Sequence, residues 1–231
     1  MKITEFTLSG DPPISISVRR SNRARTLRLK VSRLGGVVEV AVPSGIGIDQ
    51  ARRFAADNRQ WIMTAVKRSQ ERIIPRFGSR FPLEGNELLL RKSNGAVPRC
   101  DGQHLNLQCV ESDLPAVLGA HCKRLAKSKL DASVRHHAEF LAIPTPRFRI
   151  KDTTSRWGSC SARGNLNFSW RLIMMPPVIL NYVVAHEVSH LAEMNHSPMF
   201  WKIVERLCPQ YREHRKWLKN NGSIYLGYQL L

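Results

Sequence analysis

Val183-Val184-Ala185-His186-Glu187-Val188-Ser189-His190 is the stretch on which the reading of this chain turns. Two histidines four residues apart stand one above the other on a helix face, where both imidazoles can turn toward one ion. The glutamate directly after the first histidine can reach a metal-bound water without ligating the metal. This H-E-x-x-H arrangement is the signature of zinc-dependent hydrolases. The five residues alone recur by chance, so their surroundings carry the weight. Pro176-Pro177 suit a helix's first turn, where a missing N–H costs nothing. Ile179, Leu180, Val183, Val184, Val188 and Leu191 then make the helix apolar on most sides. Burying two histidines and a carboxylate in such a helix is expensive unless something binds them.

A catalytic zinc takes three protein ligands and keeps a position for water. Downstream of His190 the third ligand can come from Glu193, His196, Glu205, Glu213 or His214. His196 is favoured, because Asn195-His196-Ser197-Pro198 reads as a tight turn. Asn ends one helix, Ser197 caps the next and Pro198 opens it. The spacing H-E-x-x-H-x-x-x-x-x-H matches that of the metzincins, but Glu193 stands where their helix-ending glycine does. Glu193 or Glu205 stays open as the alternative third ligand.

Ser155-Arg156-Trp157-Gly158-Ser159-Cys160 precedes the motif, while Asn195-His196-Ser197-Pro198-Met199-Phe200-Trp201 and Pro209-Gln210-Tyr211-Arg212 follow it. With Asn58-Arg59-Gln60-Trp61-Ile62 near the N-terminus, the chain resembles the YgjP-like metallopeptidases over nearly its whole length. That family is distantly similar to the SprT-like proteases. The resemblance implies one zinc ion held by His186, His190 and His196, a catalytic Glu187, and a peptide or protein substrate. All four positions are filled.

The chain has 231 residues, 42% of them hydrophobic, enough for one or two domains with a real core. No apolar run approaches the ~20 residues of a membrane span. The N-terminal residues lack the apolar core of a signal peptide, so the expected location is the cytoplasm. Five scattered cysteines without a C-x-x-C pair fit reduced thiols. Cys160 reads as a small buried side chain more readily than as a ligand. Thirty-six Lys and Arg against eighteen Asp and Glu give a net charge of +18. One concentration is Arg19-Arg20, Arg23, Arg25, Arg28, Lys30 and Arg33. Such a surface fits nucleic acid or an acidic protein as partner, although no aromatic residue interleaves with the strip to stack on bases. Nothing in the sequence specifies an oligomeric state.

The expected fold class is α+β: a β-rich N-terminal region with one long helix over residues 1–112, then a zincin-like domain over 113–231. Ile14, Ile16 and Val18, then Leu27, Leu29 and Val31, then Val38, Val40 and Val42 alternate with polar residues, and Gly35-Gly36 reads as a hairpin turn. Ala51, Phe54, Ala55, Trp61, Ile62, Ala65 and Val66 predict a helical stretch from Asp49. Short strands are expected over 87–91 and 104–110, separated by a loop at 93–98. A long amphipathic helix is expected from Leu114 to Phe140. Residues 148–151, 153–157 and 165–173 predict an antiparallel sheet packed on the motif helix. An edge strand of that sheet can take substrate by β-addition, with Trp157, Gly158 and Ser159 as part of the cleft. Tyr211 is a candidate oxyanion donor.

Two functions follow as expectations. One is a zinc peptidase in which Glu187 takes a proton from the attacking water and passes it to the leaving amine. The other is a basic nucleic-acid-associated protein with a structural or inactive zinc. A fourth protein ligand would favour the second.

Overall fold

A computed structural model describes residues 4–32, 35–67, 69, 71–95, 97–153 and 155–230. Arg33 of the basic strip, Ala96 of the expected loop and Thr154 of the expected strand 153–157 lie outside the described residues. The fold is α+β and divides into two compact units, Met1–Arg72 and Ile73–Leu231.

The first unit is a four-stranded sheet with two helices. β1 (Thr4–Leu8), β2 (Ile14–Ser21), β3 (Arg28–Val31) and β4 (Val38–Pro43) lie in the order β1-β2-β4-β3. β2 and β4 run parallel and the other neighbours antiparallel. Gly35 and Gly36 turn the chain between β3 and β4 with φ of 70° and 60°, a backbone that L side chains resist. The helical stretch is two helices, α1 (Ile48–Asp57) and α2 (Arg59–Lys67). They break at Asn58, whose side-chain amide donates to the Phe54 carbonyl. Ile16, Val40, Val42, Ala51, Ala55 and Ile62 are fully buried between sheet and helices.

The second unit begins with β5 (Arg80–Leu83), β6 (Asn86–Lys92), β7 (Arg99–Asp101) and β8 (His104–Leu107), a sheet ordered β5-β6-β8-β7. α3 (Leu114–Phe140) spans the bounds its apolar stripe predicts. The sequence places a division near residue 113, and that point falls inside this unit. Leu90, Leu105 and Leu107 of the sheet share one core with Leu114, Leu118 and Leu130 of α3. A change from strand to helix therefore marks no boundary here, because both elements bury the same apolar surface.

β9 (Phe148–Lys151), β10 (Gly158–Cys160) and β11 (Leu166–Ser169) form a three-stranded sheet ordered β10-β11-β9. It is mixed rather than antiparallel, since β11 pairs β9 in parallel and β10 antiparallel. The second of the expected strands sits at 158–160 instead of 153–157, at an edge of the sheet, and β11 ends at Ser169. There the Ser169 hydroxyl accepts from the Arg171 N–H and turns the chain into a 3-10 segment, Trp170–Met174. α4 (Pro177–Ser189), α5 (Pro198–Leu207) and α6 (Tyr211–Asn221) complete the α-helices among the described residues, and a 3-10 segment, Gly222–Leu226, follows.

Arg171 locks this unit. Its side chain is 4% exposed and forms a two-pronged pair with Asp152. The guanidinium also donates to the carbonyls of Tyr225 and Tyr228 and lies over the Trp170 ring. A buried cation is tolerated only when its donors are satisfied, and this one ties sheet, 3-10 segment and C-terminal segment together. A second tie joins α3 to α4: Ser133 donates to the Asn181 side-chain oxygen at 2.9 Å, and His137 Nε2 contacts the same oxygen at 2.9 Å.

Candidate metal centre

α4 places His186 and His190 on one face, and its last turn ends at His190. Ser197 caps α5 by accepting from the Phe200 N–H at 3.2 Å, with Pro198 in the first helical position. The intervening turn sends His196 back toward α4. The donor atoms of His186, His190 and His196 all lie within 4.8 Å of one another. His186 Nε2 and His196 Nε2 are 3.1 Å apart, close to the roughly 3.3 Å expected for two nitrogens on one tetrahedral zinc. Among the described residues no other His, Cys, Asp or Glu joins the cluster.

The donor set fits a borderline-soft divalent ion. His190 Nδ1–H donates to the Glu193 carbonyl at 3.2 Å, which leaves the Nε2 lone pair for a ligand. Burial, with His190, His196 and Arg215 nearby, holds His186 down at about 3. Its ring is therefore neutral, the state a ligand requires. His186 Nδ1 is buried with no hydrogen-bond partner. That ring is held by aromatic packing instead: Phe200 at 5.0 Å, Trp201 at 5.7 Å and Tyr182 at 6.2 Å between ring centres. Phe200 also stacks on His190 at 4.4 Å.

Glu187 is 7% exposed and faces β10. Burial lifts its carboxyl to about 7, while Arg156 and the Cys160 N–H, which donates to it, pull the other way. A Cβ added at Gly158 would lie 2.6 Å from Glu187 Cγ and Oε1, so only glycine lets the strand come this close. β10 is an edge strand. Ser159 pairs with Asn167, and the Ser169 N–H reaches the Trp157 carbonyl at 2.8 Å. By alternation, the backbone groups of Gly158 and Cys160 face away from β11.

The other sequence-predicted residues take distinct places. Trp157 is half-buried, with its indole against Gly222. Ser159 accepts from the Asn167 amide at 3.4 Å. Tyr211 is buried and stacked on Trp201 at 5.3 Å, its oxygen accepting from Arg212 at 3.2 Å. The alternative ligands are otherwise engaged: Glu193 accepts from the Asn195 N–H, Glu205 faces Arg212 at 3.9 Å, and His214 Nδ1 meets Cys208 Sγ at 3.4 Å.

Sequence reasoning missed the aromatic wall of Tyr182, Phe200 and Trp201. A signal existed, since Tyr182 lies one helical turn before His186 and Phe200 one turn after His196. Arg215, whose guanidinium lies 4.7 Å from the Trp201 ring centre, had no local signal.

A helix bearing this histidine pair, a third histidine from the following turn and a carboxylate against an edge strand make an arrangement suited to one divalent ion beside an acid–base group. The chain belongs to the YgjP-like family: the model of the YgjP-like metallopeptidase domain matches residues 25–221. Among solved structures the chain is similar to the metallopeptidase zymogen abylysin of Pyrococcus abyssi. That similarity has a TM-score of 0.37 at 20% identity, covering 40% of this chain and 95% of the other. Among curated proteins no relative matches.

Proposed function

We propose that this protein is a zinc-dependent peptidase, with one zinc ion held by His186, His190 and His196 and with Glu187 as the catalytic acid–base. The convergence of the three imidazoles, whose donor atoms lie within 4.8 Å of one another, carries this reading. When bound, zinc lowers the pKa of a coordinated water toward about 7 and polarises a carbonyl.

The chain supplies the rest. Glu187 takes the proton of the attacking water and delivers it to the leaving amine. A carboxyl near 7 is matched to both halves of that transfer. The Cys160 N–H fixes one carboxylate oxygen, and the Glu193 carbonyl fixes the His190 tautomer. With the Cys160 N–H taken by Glu187, the Gly158 N–H and the carbonyls of Gly158 and Cys160 offer a peptide backbone an edge on which to pair. Trp157 and Ser159 flank that edge, and Tyr211 lines the wall behind Trp201. Five unpaired, scattered cysteines support a cytoplasmic location.

The nucleic-acid reading rests on the net charge of +18 alone. A structural zinc site takes four protein ligands, and the three-histidine cluster supports the catalytic reading instead. The test is metal analysis of the wild type beside His196→Ala, followed by cleavage of an unselected peptide mixture. The expected result is one zinc per chain in the wild type, much less in the variant, and hydrolysis that follows zinc content.

A further inference from the structure

Register divides the β10-β11-β9 sheet into two faces. One carries Gly158, Leu166 and Phe168 toward the core and Glu187. The other carries Ser159, Asn167, Ser169 and, in line with them on β9, Lys151. On this second face lies a cavity of about 220 Å³, lined by Lys151, Thr153, Arg156, Ser159, Asn167 and Ser169 together with Trp157, Gly158 and Phe168. It falls below the ~300 Å³ at which whole-ligand pockets begin, so its size is that of a side-chain subsite.

Its chemistry is one-sided. Beside two aromatic residues, two cations, hydroxyls and an amide line it, and no carboxylate does. Asp152, the nearest acid in sequence, is engaged by buried Arg171. Among the described residues neither Lys151 nor Arg156 forms an ion pair. Thr153 Oγ1 donates to the Arg156 carbonyl at 2.6 Å. Gly158 belongs to both places, since its backbone lines the cavity while its Cα abuts Glu187.

We propose that this cavity is a specificity subsite that takes an aspartate or glutamate side chain of a peptide laid along β10. The inference rests on the peptidase reading. A peptide added to the β10 edge alternates its side chains between the sheet's two faces. One residue beside the scissile bond is thereby directed to the second face, where Lys151 and Arg156 stand ready for a carboxylate. The chain's net charge of +18 draws acidic partners in the same direction. Neutral and basic side chains gain no charge-assisted contact there.

The experiment uses zinc-loaded Glu187→Gln as a non-hydrolysing trap and a set of labelled neutral peptides, each with one Asp at a different position. Fluorescence anisotropy should show one Asp position binding about tenfold tighter than its Asn counterpart, the scale of one charge-assisted hydrogen bond. That gain should vanish in Lys151→Ala and in Arg156→Ala. It should survive Arg149→Ala, which removes an exposed cation in register with Asn167 but outside the cavity. Equal gains at every Asp position, or equal losses in Arg149→Ala, would reduce the effect to bulk charge and overturn the proposal. A short single-stranded oligodeoxynucleotide that binds with the same dependence on Lys151 and Arg156 would overturn it in favour of phosphate. Wild-type turnover of the same peptides separates the two readings. Cleavage without an Asp preference sinks the subsite and leaves the peptidase. Position-specific binding with no cleavage of any peptide sinks the peptidase and leaves the subsite.

Discussion

Gly158 and Glu187 are in such close contact that a single added methyl group would lie 2.6 Å from the glutamate's Cγ and Oε1. The edge strand thereby sets the position of the carboxylate. Gly158→Ala is predicted to displace Glu187 while leaving all three histidines in place. Misplacing a catalytic group by about 1 Å costs on the order of 10²-fold in rate. The expected result is normal zinc content with kcat reduced by about that factor, read by steady-state kinetics beside metal analysis. Unchanged kcat would detach Glu187 from the strand.

The His190–Glu193 hydrogen bond uses a carbonyl, so side-chain substitution at Glu193 should spare it. Glu193→Gln is predicted to keep zinc affinity within a fewfold of wild type, because the ligand's orientation comes from backbone. A loss of 10-fold or more in a zinc competition titration would instead assign the Glu193 carboxylate to the metal.

Arg171 is a stability prediction. Removing a buried charge's partner, or the charge itself, from a satisfied network costs about 3–5 kcal/mol. Arg171→Ala should destabilise the protein by that order in chemical denaturation, with Asp152 and two carbonyls left without their donor. Arg171→Lys should recover only part, since an ammonium cannot make the two-pronged contact.

Two buried histidines set an acid limit. Burial lowers the pKa of both His121 and His137 from the ordinary value of 6.5; Arg124 adds to the effect at His121, and Asn181 partly opposes it at His137. The folded state therefore binds fewer protons than the unfolded state once the pH falls below about 6.5. Stability should be flat with respect to these groups above that pH and fall below it, by up to about 1.4 kcal/mol per pH unit for each histidine. His137→Gln should flatten the decline between pH 7 and pH 5 in denaturation midpoints. An undiminished decline would move the proton uptake elsewhere.

What was legible in the sequence was local. The bounds of α3 follow from its apolar stripe, the start of α4 from Pro176-Pro177, and the cap of α5 from Ser197-Pro198. The histidine cluster was legible for the same reason, because eleven residues and one turn contain it. Pairing partners were not. Nothing in the period of Leu166–Ser169 says that its neighbour on one side, β9, runs parallel. β1 went unread because its short run holds only two apolar residues, Phe6 and Leu8, and β5 because Pro82 sits in its middle. The shift of β10 to Gly158–Cys160 depends on Glu187, 29 residues beyond Gly158, and the end of β11 depends on Asp152 and the C-terminal carbonyls that hold Arg171. Contacts between distant segments leave no periodic trace.

The most direct measurement is peptide turnover by Glu187→Gln at zinc content matched to the wild type. General acid–base help is worth about 10²–10⁴-fold. The account predicts one zinc per chain in both proteins and a fall in kcat within or beyond that range for the variant. Equal turnover by the two proteins at equal zinc would contradict it.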